Sequence, residues 1–193
     1  MKKILTKEQQ KKKDKINQLI IGIVLIALML FSTVGYALSG NESKETTDSI
    51  DYNGITFTKN SEYWNFNYQG LNLNTRYNPQ EVSDIQVPIL FKLQDYKQEP
   101  LYFIGELNSP ALEIIRVLDN IALRINNACL PNTNCTGNYP IKNPSIDNLL
   151  IIQEPSKNQT EKIYQQENAV FIIASQENQD KYADAFLFKI LQI

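Results

Sequence analysis

Two cysteines and a scatter of carboxylates are the side chains of this 193-residue chain whose types and spacing could do chemistry. Cys129 and Cys135 enclose five residues, LPNTN. Outside the cytoplasm, thiols so placed oxidise to a disulfide. Pro131, Asn132 and Asn134 favour the tight reversal such a ring requires. In the loop-entropy model a ring this small stabilises by roughly 2 kcal/mol. The spacing is not that of a Cys-x-x-Cys redox pair, and no cluster of cations stands nearby to lower a thiol pKa. The bridge is therefore read as a structural pin on the segment that leaves a long helix. Carboxylates are the other resource. Two of them facing each other across a cleft hydrolyse glycosides without histidine. Glu81, Asp84, Glu106 and Asp184 are the candidates, and no spacing among them dictates a pair. Asp184 stands out because it lies one residue from the apolar face of the last helix. The competing reading makes it a buried or half-buried carboxylate bonded to backbone, to Arg116 or to Arg124. Asp184 and Glu106 mark the speculative site.

Other chemistry is excluded by composition. The chain has no histidine, which removes Ser-His-Asp and Cys-His catalysis and histidine-ligated zinc. Two cysteines cannot build a four-thiolate metal site within one chain. Gly-rich phosphate loops, a Gly-x-Ser-x-Gly elbow, Ser-x-x-Lys and an EF-hand loop are all missing, and glycine is only 7 of 193 residues. No cofactor and no metal is expected. Asn41, Asn134 and Asn158 head Asn-x-Ser/Thr sequons and are possible glycosylation sites. In a chain with 21 asparagines a few such triplets arise by chance.

The element with the plainest signature lies near the N-terminus. Leu19 to Leu38 reads LIIGIVLIALMLFSTVGYAL, 20 residues without a charge. As a helix it would span roughly 30 Å, the thickness of a bilayer's hydrocarbon core. A buried soluble helix would show a polar face, and this segment has none. Residues 1–16 carry a net charge of +5, while the remainder carries 12 basic and 19 acidic residues. The positive flank stays in the cytoplasm. The expected layout is a basic cytoplasmic tail over 1–16, a transmembrane helix over 17–38, a polar linker over 39–53 and an extracytoplasmic domain over 54–193. A cleaved signal peptide competes with the anchor, with Gly35 and Ala37, or Ala37 and Ser39, as the small residues at the cleavage site. The long basic region and long apolar run favour the anchor. A pilin-type segment is a third option, though Lys15 is followed by Ile16 and the run lacks an acid.

From Gly54 the pattern alternates with period two. Ile55 and Phe57, then Trp64, Phe66 and Tyr68, then Leu71, Leu73 and Tyr77 share one face, with Thr and Asn on the other. This predicts a three-stranded antiparallel meander. The aromatic row is read as core in preference to a sugar platform, because the opposite face is so polar. Asn78-Pro79 predicts a short helical turn to Ile85. Val87, Ile89, Phe91 and Leu93 alternate again, and Pro88 confines that strand to an edge. Leu101–Ile104 predicts a buried strand. Asn108-Ser109-Pro110 opens a helix expected to run to about Asn127, with Glu113 and Arg116 as a weak surface pair. Strands follow at 149–152, 163–164 and 169–174, and a closing helix at 179–191. The fold class is α+β: a mixed or antiparallel sheet with two helices packed on one face.

Asn127-Ala128-Cys129, Cys135 and Tyr139-Pro140-Ile141-Lys142, with the ending Ala183-Asp184-Ala185-Phe186-Leu187 and Leu191-Gln192-Ile193, resemble a group of uncharacterised single-pass membrane-anchored proteins of small-genome archaea. The resemblance covers most of the chain. Some members carry further cysteines where this chain has Pro144 and Ala169, so any second bridge is missing here. The resemblance implies no activity, since none is assigned to the group. The acidic domain, short of clustered Lys and Arg, is a poor partner for nucleic acid. The expected partners are the lipid bilayer through residues 19–38 and an envelope protein or polymer. The leading expectation is a non-enzymatic binding module of the cell envelope. A carboxylate hydrolase and a pilin-like filament subunit are the alternatives.

Overall fold

The computed structural model describes residues 11, 15–29, 48–106, 108–133, 135 and 137–193, in two compact units divided between Thr46 and Thr47. In the first unit, residues 15–29 form helix α1, whose side chains are mostly exposed. Among the described residues, no helix is long and apolar enough to cross a membrane. The second half of the expected span, 30–38, lies outside them, as do Asn41 and most of the expected linker.

The second unit opens with a meander of four strands: β1 (Ser49–Tyr52), β2 (Ile55–Asn60), β3 (Tyr63–Tyr68) and β4 (Leu71–Thr75). All neighbours are antiparallel, in the order β1-β2-β3-β4. Strand β1 lies within the stretch read as linker. Its polar composition hid it, because only Ile50 and Tyr52 meet the core. Phe57, Trp64, Phe66 and Leu73 are buried, so the aromatic row is core. The outward face carries Thr56, Thr58, Asn65, Asn67, Asn72 and Asn74, as alternation requires.

The segment after β4 departs from expectation twice. No helix forms at Asn78, although its cap chemistry is present. Asn78 Oδ1 accepts from the backbone N–H of Gln80 and Glu81, and Asn78 N–H donates to Glu81 Oε2 at 2.7 Å. These bonds hold a string of turns. The expected edge strand over 87–93 is also missing. That segment is irregular and ends in a 3₁₀ turn, Leu93–Tyr96, which buries Leu93 and Tyr96.

A second sheet follows, built from β5 (Pro100–Ile104), β6 (Arg124–Asn127), β7 (Asn148–Gln153), β8 (Lys162–Gln166) and β9 (Ala169–Ile173). Its order is β6-β5-β7-β9-β8. All neighbours are parallel except β8, which runs antiparallel to β9. The two helices of this unit are α2 (Ser109–Leu118) and α3 (Gln179–Leu191). Helix α2 ends well before Asn127, because Arg124–Asn127 is claimed by β5 as a parallel neighbour. Its start matches expectation, with Asn108 Oδ1 accepting from Ala111 N–H and Pro110 in the first turn.

The fold is α+β, with a correction to its layering. There are two sheets, not one, and α2 and α3 lie between them. One core holds Phe57, Trp64 and Phe66 of the meander, Ile114 and Leu118 of α2, Phe186 and Leu187 of α3, and Leu101, Phe103 and Leu150 of the second sheet. Phe188 of α3 packs against both Phe57 and Phe66, at ring distances of 5.9 and 6.1 Å. Tyr68 donates its hydroxyl proton to Leu191 O at 2.7 Å. The far face of the second sheet buries Tyr102, Ala128, Leu149, Ile151 and Ala169. The β6–β7 connection docks there, through the Cys129–Ile141 bridge and with Lys142 Nζ 4.0 Å above the Tyr102 ring.

Candidate functional site

Strand β5 pairs with β6 on one side and β7 on the other. The chain therefore leaves β5 in one lateral direction and later returns to pair on its opposite edge. In open parallel sheets such a reversal opens a crevice beyond the carboxyl ends of the strands. A depression of about 590 Å³ sits there, lined by Phe103 and Ile104 at the end of β5 and Glu106 beyond it, Asn127 at the end of β6 and Ala128 beyond it, and Gln153 at the end of β7. Cys129, Cys135 and Tyr139 from the β6–β7 connection form its rim. Gly105 makes the close approach of β5 to β7 possible. Its φ is +135°, and a Cβ there would lie 2.5 Å from Ile152 O.

The disulfide between Cys129 and Cys135 forms, with Cα atoms 6.0 Å apart. Cys129 is further fixed by its own backbone, whose N–H donates to Pro140 O at 3.0 Å and whose carbonyl accepts from Lys142 N–H at 2.8 Å. Behind the rim, the Tyr102 hydroxyl lies near Lys142 and accepts from Arg124 Nη2 at 3.1 Å. Lys142, then Arg124, holds this phenol below the ordinary tyrosine range. Tyr102, then Asp147, holds the lysine ammonium above its own.

The speculative site residues are not brought together. Glu106 is exposed at the depression. Asp184 is fully buried on α3, and its Oδ2 accepts from Tyr77 N–H at 2.8 Å. Its contact with an arginine is to the backbone of Arg76. Arg116 instead donates to Asn74 Oδ1 at 2.8 Å, and Arg124 to Tyr102. Glu81 serves the Asn78 turn, and Asp84 pairs with Lys181 at 3.2 Å. Asn158 is exposed in the turn between β7 and β8 with φ +69°, a conformation asparagine tolerates. Asn134 lies outside the described residues.

Sequence reasoning missed the densest charge cluster in the domain. Arg76, just past β4, has Nε 3.3 Å from Asp180 Oδ2 and 3.5 Å from Glu113 Oε1. Helical spacing makes Glu113 one end of a surface pair, yet it is only 3% exposed. It turns inward because α2 has no free outer face on that side: the meander and α3 both close over it. Burial pushes the Glu113 carboxyl up to about 7, Asp180 adds to this, and Arg76 opposes it. Asp184 is raised well above the usual carboxylate range by burial first and by Glu113 next. One signal was available. Asp180 and Asp184 are spaced i, i+4 on α3 and so share a helical row.

No family model, no curated protein and no solved structure matches this chain.

Proposed function

We propose that this chain is a membrane-tethered module of the cell envelope whose outer domain binds an envelope protein or polymer. The observation that carries the reading is the depression at the carboxyl ends of β5, β6 and β7, rimmed by the disulfide. It offers amide groups from Asn127 and Gln153, one carboxylate from Glu106, the Tyr139 ring and apolar surface from Ile104 and Leu130. A few polar groups around apolar surface suit recognition. The rim is fixed by a covalent ring and a backbone bridge, so it is pre-organised and little order is lost on binding. The long apolar segment and its basic flank support the tether.

The carboxylate hydrolase gains less support. The carboxyls that approach each other, Glu113 and Asp184, are buried between helices. Glu106, which faces the depression, stands apart from them. A photo-reactive residue in place of Tyr139, in the full chain and in intact envelopes, tests the reading. The expected result is a discrete cross-linked adduct that is not formed when the same residue replaces Asn60, at the far end of β2. Equal yield at both positions, or none at Tyr139, would count against it.

A further inference from the structure

Around α2 and α3, four buried carboxylate oxygens make no hydrogen bond. They are Glu113 Oε1 and Oε2, Asp180 Oδ1 and Asp184 Oδ1, although Arg76 Nε lies 3.5 Å from Glu113 Oε1; Asp184 is served by backbone N–H groups, Tyr77 on Oδ2 and Arg76 beside it. Dry carboxylates without donors are costly, and the cheapest relief is a bound proton. The Glu113 carboxyl lies within hydrogen-bonding reach of Asp184. A proton on either one makes the contact an O–H···O bond and supplies the missing donor.

The surrounding charges cannot substitute for that proton. Glu113 and Asp180 share one guanidinium, Arg76, while Asp184 meets only the backbone of that residue. Arg76 is shared further, with Glu62 at 4.0 Å, Ser109 Oγ at 3.2 Å and the Tyr63 ring at 5.4 Å. Arg116 is the other nearby cation, and its guanidinium is engaged with Asn74. With both Glu113 and Asp184 ionised, two negative charges would sit in the buried part of the cluster, with the Arg76 guanidinium beside Glu113 alone.

We propose that Glu113 and Asp184 form a proton-operated latch, which joins α2 to α3 and to the end of β4 while one proton is shared and loosens that junction when the proton leaves. The β4 end is included because Asp184 also holds the Tyr77 backbone. Burial raises both carboxyls, so the pair gives up its shared proton above the ordinary carboxylate range. The latch thus links acidity outside the membrane to the tightness of the middle layer, independently of what occupies the depression.

Infrared spectra of the full chain in detergent test the latch first. At about pH 6 ordinary carboxyls are ionised, so a protonated-carboxyl band from the buried pair is expected, vanishing by about pH 9. Glu113→Gln carries its own amide donor, so it should lack the band. Its thermal midpoint should stay nearly flat with pH, where that of the unaltered chain falls by roughly 5 °C between about pH 5 and pH 8. Asp184→Asn supplies a donor from the other side and should behave alike. No band at about pH 6 in the unaltered chain, or an unchanged pH dependence in a folded amide variant, overturns the proposal. The infrared arm decides the matter even if neither variant folds.

Discussion

At the scale of single residues, the environment around a side chain matters more than its type. Glu113 and Glu161 are both glutamates, and they drive stability in opposite directions with pH. Glu113 has a folded-state pKa raised above its usual 4.5. Its contribution is complete below about pH 4.5 and is lost as pH rises through about 7. Glu161 accepts from Ser175 N–H at 2.7 Å and Asn178 Nδ2 at 2.9 Å, and the Ser175 bonds hold it below its usual value. Its contribution is present above pH 4.5 and is lost as pH falls below that. Glu161→Gln should therefore cost about 1 kcal/mol at neutral pH and little in acid, as denaturant melts at the two pH values would register. Gly105 makes a second residue-scale prediction. Gly105→Ala meets both a positive φ and Ile152 O, and should destabilise by roughly 1–3 kcal/mol, read as a lower urea midpoint. Glu113 was not recognisable in the sequence as buried, because helical spacing alone places it beside Arg116. Only the meander packing on α2 and α3 turns that side inward.

At the scale of elements, legibility followed locality. Helix α3 spans the predicted 179–191, β7 contains the predicted 149–152, and β9 covers the predicted 169–174 except for Ala174. Each carries its pattern within a few residues. Helix α2 is shorter than its pattern predicts because Ile121, Ala122 and Ile125 continue a helical stripe, while pairing with β5 fixes Arg124–Asn127 as a strand. Val87 to Leu93 alternates, but no strand edge takes it up, so the alternation serves packing alone. The asparagine at 78 shows that cap bonds do not require a helix to follow. Helix α3 makes the element-scale prediction. Phe188 bridges it to the meander through Phe57 and Phe66, so Phe188→Ala should cost about 3–5 kcal/mol and release the meander. Hydrogen exchange should quicken across β2 and β3 before it does in β7 and β9.

At the scale of the whole molecule, the two-sheet layering was hidden for a physical reason. Nothing in the period of β1–β4 says whether their apolar face meets strands or helices. That choice depends on contacts more than a hundred residues apart, such as Tyr68 with Leu191 and Tyr77 with Asp184. The disulfide was legible because a covalent ring needs only two thiols at short range. Its consequence is a prediction: Cys129→Ser should lower stability by roughly 2 kcal/mol and loosen the rim of the depression, seen as faster proteolysis within residues 130–141. Strand order at the carboxyl edge was not legible, and with it the depression that carries the functional reading.

The reading stands or falls on which side of a membrane this domain lies. Intact cells producing the chain with an epitope after Ile193 would be treated with protease and, separately, with a membrane-impermeant thiol reagent. Removal of the epitope without lysis, with Cys129 and Cys135 unreactive until reduced, is the predicted result. An epitope protected until the cells are broken, on a chain whose two thiols are free, would contradict the tether, the compartment and the proposed partner class at once.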